Sequence, residues 1–382
     1  MNPAAEFDLI VYGASGYTGR LVAEHLAKRY GVGGEVKWAM AGRDAQKLAQ
    51  VRDAIGAPKD TPLVVADADD PASLDAMVRR TKAVITTVGP YQLYGDHLIA
   101  ACAAAGTDYL DLTGEPNWMH KTIAKLDATA KETGARLCHS CGFDSIPFEL
   151  GVLFCEETAK AKLGGSVPRV KGRVRAIRGG LSGGTAASGA ATMAAVQKDP
   201  SLMQVLADPF ALTPGFRGPD QPRGDQAHHD PDVGADVGPF MMAMINTKNV
   251  HRSNLLMGHP YGTDFVYDEM SVVVPGVAVE FTGLGEGGPK PGEGPTKEER
   301  EAGFFDILFV GIAEDGRKVR VAVKGDRDPG YGSTSKMLAE AALCLVKECA
   351  EAPGGVWTPG AAMGMRLVER LQRNAGLTFS AE

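Results

Sequence analysis

An α/β protein is expected, with a doubly wound parallel sheet followed by a smaller α+β domain. Three observations predict it. Between Phe7 and Ile146, short apolar runs alternate with segments of helical spacing, the pattern of successive βαβ units. The first run leads into "GASGYTG", a glycine-spaced turn set between a strand and a helix. After residue 150 the pattern changes to alternating strands and a hairpin, which belong to an antiparallel or mixed sheet.

In chain order, strands are expected at Leu9–Tyr12, Val36–Ala41, Leu63–Ala66, Ala83–Val88, Tyr109–Leu112 and Arg136–His139. Most are near-continuous apolar runs, as strands covered by helices on both faces require. Helical spacing is carried by "TGRLVAEHLAKRY", "DAQKLAQVRDAI", "PASLDAMVRR" and "DHLIAACAAAG", the last closed by Gly106. Further on, Arg169, Lys171, Arg173 and Arg175 share one face of a strand, opposite Val170 and Val174. That basic face either binds a carboxylate or phosphate of a substrate or protects an exposed edge. "FFDILFVGIAEDGRKVRVAVKG" reads as a hairpin turning at Asp315-Gly316, with Val319, Val321 and Val323 on one side. Two long Gly/Pro-rich stretches, 211–239 and 283–300, are either mobile or cover a binding site. "GGLSGGTAASGAATMAA" (179–195) joins a glycine run to a small-residue helix, suited to a subunit contact or to a cover over a cleft. "STSKMLAEAALCLVKECAE" places Met337, Leu338, Ala341, Ala342, Leu345 and Val346 on one stripe, and "AAMGMRLVERLQR" is a second helix. The expected division is 1–150, 151–330 and 331–382.

Bulk properties narrow the function. The chain has 382 residues, enough for about two domains. Its 44% hydrophobic and 23% charged content is that of an ordinary globular protein. A net charge of −7 leaves no electrostatic footprint for nucleic acid. "MNPAAEFDLI" lacks a basic leader, and no apolar run reaches the roughly 18 residues of a membrane span. Six scattered cysteines read as reduced thiols of a cytoplasmic protein. Cys138 and Cys141 form a CxxC without a second ligand pair or a thioredoxin-like frame, so both are expected to be small buried residues. His228, His229, Asp230 and Asp232 lie in a Gly/Pro-rich stretch without ligand spacing and are expected to be solvated; no metal is expected.

Gly13, Gly16 and Gly19 suit a dinucleotide, and so a Rossmann-type domain. Gly13 permits the tight turn, Gly16 lets backbone approach a pyrophosphate, and Gly19 allows close helix–strand packing. The N–H groups of Ser15, Tyr17 and Thr18 lie where the helix dipole favours an anion. The second strand ends in Gly42-Arg43, where an acid would bond a ribose 2′-hydroxyl and an arginine accommodates a 2′-phosphate. Asp44 is suited either to the ribose or to capping the next helix. NADP(H) is therefore preferred over NAD(H). In "TTVGPYQLYG", at the carboxyl edge of the sheet, Gly89 and Pro90 shape a loop against the nicotinamide half, and Tyr91 either points into the cleft or packs. In "CGFDSIP", Gly142 and Phe143 approach the nicotinamide, and Asp144 either holds the loop or acts in catalysis.

"GASGYTG", "AGR", "VGPYQLYG", "DLTGEP" and "CGFDSIPFELG", followed by "GGT", "PGEGPTKEERE", "GDRDPGYGSTSKMLAEAALCL" and "GGVWTPGAAMG", resemble the saccharopine dehydrogenase-like family. The branch they resemble most contains trans-acting enoyl reductases of lipid and polyketide biosynthesis. The resemblance spans nearly the whole chain. It implies an NAD(P)-binding Rossmann domain, an inserted α+β domain, and C-terminal helices that return to complete the first.

The expected activity is reduction by NADPH of an acyl or imine-type substrate, small or carrier-bound, with the cofactor carrying the difficult chemistry. Tyr91 is the first candidate proton donor and Asp144 the second. Saccharopine or other amino-acid dehydrogenation is the related alternative, and a non-catalytic NADP-binding interaction protein the alternative of another class. A homodimer and peripheral contact with membrane or lipid complete the expectations.

Overall fold

The computed structural model describes residues 5–180, 182–273, 280–282, 290 and 292–382. Residues 283–289 and 291 of the Gly/Pro-rich stretch 283–300, and Leu181 within the glycine run, lie outside them. The first half alternates strand and helix: β1 (Phe7–Tyr12), α1 (Tyr17–Tyr30), β2 (Trp38–Gly42), α2 (Ala45–Ala54), β3 (Leu63–Val65), α3 (Pro71–Val78), β4 (Thr81–Thr86), the single turn α4 (Tyr91–Tyr94), α5 (Asp96–Ala105), β5 (Asp108–Leu110), α6 (Pro116–Thr133) and β6 (Arg136–Cys138). These strands pair in parallel in the order β6-β5-β4-β1-β2-β3. All six residues of β1 are buried, as a strand covered on both faces must be. Strand order reverses where β1 lies between β2 and β4, and sheets of this kind take their ligands at the carboxyl ends of the strands at such a point. The doubly wound sheet expected from the alternation is present.

The fourth strand starts earlier than its apolar run suggests. Helix α3 stops at Val78, and Thr81 already pairs with Phe7. The strand therefore ends at Thr86, leaving Thr87 and Val88 in the loop that faces Gly13.

Helix α7 (Ile146–Leu163) carries the chain without a break from the first sheet to the second. There follow β7 (Arg169–Gly180), α8 (Gly183–Lys198), α9 (Leu202–Ala207), β8 (His228–Asp230), β9 (Ala235–Pro239), α10 (Ala243–Leu256), β10 (Val266–Val272), β11 (Glu280–Thr282), α11 (Lys297–Ala302), β12 (Phe304–Ile312) and β13 (Lys318–Gly325). The chain ends with α12 (Thr334–Glu348), β14 (Gly355–Trp357), α13 (Pro359–Asn374) and β15 (Leu377–Ala381). The second sheet is mixed and runs β15-β13-β12-β7-β10-β9-β8, with β11 also on β7. The hairpin turns at Asp315-Gly316 as expected, with Gly316 at φ 83° and Val319, Val321 and Val323 all buried.

Strand β7 lies in the middle of this sheet, between β12 and β10. Its basic face is therefore neither an edge guard nor a free anion site. Arg169 pairs with Asp268, Lys171 with Asp230 and Asp232, Arg173 with Asp230 and Asp268, and Arg175 with Asp306 and Glu382. Asp230 is correspondingly fully buried rather than solvated, and Lys171 and Arg173 hold its carboxyl down at about 2. A buried cation must be paired to be tolerated, which is what the alternation of charge and valine along β7 records.

The C-terminal segment returns to the first sheet. Helix α12 packs on α1, β1, β4 and β5, and β14 pairs with β6 as a seventh parallel strand. Every residue of α12 from Met337 to Val346 is buried, so the helix is covered on all sides and not along one stripe alone. Each fully buried Leu, Met or Val there contributes roughly 1.5–3 kcal/mol. The last strand, β15, goes instead to the second sheet beside β13.

Candidate active site

The β1–α1 turn is built so that nothing larger than hydrogen fits at two of its glycines. The N–H groups of Gly13 and Ala14 donate to Ala41 O at 2.9 and 3.1 Å, and Gly16 N–H donates to Gly13 O at 2.8 Å. Gly13 has φ 86°, and a Cβ there would lie 2.8 Å from both Thr87 Oγ1 and Val88 Cγ2. A Cβ on Gly19 would lie 2.2 Å from Gly13 O. Gly16 is the N-cap of α1, and among the described residues no side chain caps that helix end. The first-turn N–H groups of α1 are left to an external acceptor, and the helix dipole favours an anion there. These features fit a dinucleotide pyrophosphate.

At the end of β2 the ambiguity of Asp44 resolves. Its carboxylate accepts the N–H groups of Gln46 at 2.9 Å and Lys47 at 3.0 Å, capping α2. Arg43 is exposed, and among the described residues no carboxylate lies within ion-pair distance of it. Ser15 Oγ faces this corner, 3.5 Å from where a Cβ on Gly42 would stand.

The side chain of Tyr17 goes elsewhere. Its hydroxyl donates to Pro295 O and accepts Arg300 Nη1 at 3.0 Å, while its ring stands edge-on to Tyr331 with centroids 5.1 Å apart. Only the backbone N–H of Tyr17 remains for a ligand.

The β4–α4 loop carries a cis peptide at Gly89-Pro90, and Pro90 caps α4. Glu115 of "DLTGEP" accepts the N–H groups of Tyr91 at 2.9 Å and Gln92 at 2.8 Å, fixing this loop. Tyr91 stacks on Trp118 with centroids 5.5 Å apart; its hydroxyl donates to Thr86 O at 3.1 Å and accepts Leu112 N–H at 3.4 Å. Burial, with Asp111 and Glu115 nearby, pushes its phenol well above the ordinary range. Of its two sequence readings, packing is the one this geometry resembles.

The "CGFDSIP" loop is anchored from behind by α12. Thr334 Oγ1 accepts Phe143 N–H at 3.0 Å, and a Cβ on Gly142 would lie 2.9 Å from Thr334 Cγ2. The Phe143 ring packs edge-on to Phe148 and Phe305 at 5.5 and 5.0 Å, in the core. Cys138 and Cys141 are free and buried with sulfurs 3.5 Å apart, and burial raises both thiols. His139 and Asp111 tie this loop to its neighbour: Asp111 meets His139 Nδ1 at 2.8 Å and accepts the N–H groups of Ser140 and Thr113 at 2.8 and 3.1 Å.

Asp144 differs from everything around it. It is half-buried, and among the described residues its carboxylate has no hydrogen-bond partner. A Cβ on Gly114 would stand 3.3 Å from its Oδ2, so the loop after β5 leaves room beside it. Burial alone raises its carboxyl to about 7. A carboxyl that keeps its proton near neutrality is suited to general acid work.

Three groups here escaped sequence reading: Glu115, the Asp111–His139 pair and Tyr331. The motifs that contain them were visible. Their hydrogen-bond partners lie up to 149 residues away in the chain, as for Tyr331 and Ser182, and spacing carries no signal at that range.

Residues 9–138 match the saccharopine dehydrogenase NADP binding domain. The chain is 36% identical over 410 residues to the trans-acting enoyl reductase of Mycobacterium tuberculosis, covering 97% of each protein. It is 35% identical over 414 residues to the trans-acting enoyl reductase of Mycobacterium ulcerans, covering 98% of each. Among solved structures, saccharopine dehydrogenase (L-Glu forming) from Saccharomyces cerevisiae shares the fold, with a TM-score of 0.58 at 10% identity, over 98% of this chain and 100% of that one. The glycine turn thus belongs to an NADP-binding domain, the likeness to the reductases runs the length of both sheets, and the chain is a member of the saccharopine dehydrogenase-like oxidoreductases in the branch of the trans-acting enoyl reductases.

Proposed function

We propose that this protein reduces the carbon–carbon double bond of a small or carrier-bound enoyl substrate in the crevice at the carboxyl edge of the first sheet. The observation that carries the reading is Asp144, a half-buried carboxyl at that edge with no hydrogen-bond partner among the described residues, which burial raises to about 7. When bound, NADPH supplies the hydride. The chain's part is to hold the dinucleotide and to deliver a proton. The N–H groups of Ser15, Tyr17 and Thr18 hold the pyrophosphate, with Gly13, Gly16 and Gly19 clearing space for it. Gly42 and Arg43 face the 2′-phosphate, and Gly89, Pro90, Gly142 and Phe143 shape the nicotinamide side with backbone. Asp144 protonates the substrate α-carbon. Tyr91 takes that role only by giving up its bond to Thr86 O, so it stands second.

Residues 1–150 act as the cofactor domain in this reading, 151–330 shape the substrate side, and the helices of 331–382 support the first. Six unpaired, buried thiols support a cytoplasmic location. Among the described residues no helix is long and apolar enough to cross a membrane. Homodimerisation and peripheral lipid contact are accessory expectations, read by size-exclusion chromatography and vesicle co-sedimentation.

Imine reduction of saccharopine type needs free cations for several carboxylates. The basic face of β7 is consumed by its own acids, which favours the enoyl substrate. The test is NADPH oxidation across enoyl thioesters, unsaturated polyketide mimics, and α-ketoglutarate with amino acids. Turnover confined to the last group would overturn the proposal.

The Arg43 assignment has its own check. A charge-assisted hydrogen bond contributes about 1.5–3 kcal/mol, so Arg43→Ala is expected to weaken NADPH binding by roughly 10- to 100-fold and leave NADH binding unchanged. Fluorescence titration with both coenzymes measures this. An equal loss for NADH would remove Arg43 from the 2′-phosphate.

A further inference from the structure

Helix α8 is attached to the molecule in an unusual way. Of its sixteen residues only Gly183 is fully buried, and Ala187, Ala191, Ala195 and Val196 are half-buried, so its apolar anchor is small. Its inward side carries Thr185, Ser188 and Thr192, spaced three and four apart and therefore on one helical face. Each hydroxyl meets a different part of the cleft wall. Thr185 Oγ1 and Tyr331 share a hydrogen bond of 2.8 Å, and Ser182 N–H, just before the helix, also donates to the Tyr331 hydroxyl. Ser188 Oγ donates to Glu115 Oε1 at 2.8 Å, the same oxygen that accepts Tyr91 N–H. Thr192 Oγ1 accepts Gln92 Nε2 at 3.0 Å. The three contacts span about 10 Å of helix at 1.5 Å per residue. They run from the dinucleotide turn, where Tyr331 touches Tyr17, to the loop that begins at Gly89.

We propose that α8 is a cover over the dinucleotide crevice, latched by hydroxyl contacts, and that Tyr331 is the positioning residue that couples its closure to occupancy of the glycine turn. The proposal rests on the cofactor reading above. Tyr331 is suited to the coupling because it is buried between the two parts. Its ring stands against Tyr17, whose N–H group faces the pyrophosphate, and its hydroxyl holds the start of α8. Tyr17 is in turn tied to Pro295 and Arg300, so the start of α11 is held by the same group. A helix held by side-chain hydrogen bonds and a half-buried face of small residues, with no large side chain fully buried, opens at low cost, which a cover needs. Fixing the turn fixes Tyr17, then Tyr331, then α8.

Hydrogen–deuterium exchange on the full chain, with and without NADPH, tests this without requiring a substrate. In the wild type, NADPH is expected to slow exchange in 13–20 and in 185–196 together. In Tyr331→Phe and in Thr185→Val, protection at 13–20 is expected to persist while protection at 185–196 falls at least ten-fold. Thr185→Ser, which keeps the hydroxyl, is expected to restore it. Thr185 is exposed, so its variants retain the core even where Tyr331→Phe perturbs it. Protection at 13–20 without protection of α8 in the wild type would overturn the proposal, as would equal α8 protection in Thr185→Val and Thr185→Ser. Absence of protection at 13–20 would instead overturn the cofactor reading, and the coupling with it.

Discussion

Gly19→Ala is expected to weaken NADPH binding by about 100-fold and to lower the thermal midpoint. The obstacle is backbone: the new Cβ would lie 2.2 Å from Gly13 O and 2.7 Å from Gly13 C, with Thr87 Oγ1 at 2.8 Å. A side-chain neighbour can rotate away, but Gly13 O also accepts Gly16 N–H and closes the turn. Relief therefore requires either α1 to lift from the sheet or the turn to open. Either displaces the first-turn N–H groups from a common focus. Overpacking of this kind costs roughly 1–3 kcal/mol, and a rigid obstacle puts Gly19 at the upper end, near 100-fold in affinity. Two controls separate this from a generic glycine effect. Gly16→Ala meets Gly13 O only at 3.2 Å and is expected to lower the thermal midpoint less, although it too crowds the pyrophosphate. Gly165→Ala, just after α7, meets nothing within 4 Å and is expected to bind as wild type. Fluorescence titration and thermal melts decide it. Wild-type affinity in Gly19→Ala would mean that the turn does not hold the dinucleotide.

What the sequence revealed about this site follows how local each signal is. The glycine turn was legible because its cause is local: three small residues between a buried strand and a helix. Arg43 and Asp44 were legible as residue types, but their division of labour needed the cap on Gln46 and Lys47. The basic face of β7 was misread because the centrality of a strand is not a local property. The acids that neutralise it come from Asp230, Asp232, Asp268, Asp306 and Glu382. Strands β14 and β15 left no trace, since they fall outside the repeating βαβ alternation that made strands of equal length legible in the first half. Helix α12 showed its stripe, but its remaining faces are buried by α1, α13 and the sheet, which only topology places there. The hydroxyl stripe of α8 was present in the letters as Thr185, Ser188 and Thr192. It looked like part of a small-residue run because its partners are Gln92, Glu115 and Tyr331.

The second large effect separates chemistry from scaffolding at Asp144. Asp144→Asn is expected to lower turnover of the enoyl substrate by roughly 10²- to 10⁴-fold, the usual contribution of a positioned general acid. In the wild type, kcat/KM is expected to hold below about pH 7 and to fall above it, because the acid form is the active one and burial raises its carboxyl from 3.8 to about 7. The variant's residual rate should lose that dependence. Stability gives the independent arm. Because the folded value lies above the unfolded one, the native state binds the extra proton between about pH 4 and pH 7, and wild-type stability declines as pH rises through that window. Asparagine has no proton to lose, so the variant should melt above the wild type at about pH 8 and close to it at about pH 4. An acid that only held the loop would destabilise on replacement, yet no hydrogen bond holds Asp144 among the described residues. A variant that melts higher at alkaline pH and turns over as fast as wild type would strip Asp144 of its role and return the proton to Tyr91. A variant that melts higher and turns over slowly shows a site that gives up stability to keep an acid protonated where the substrate needs it.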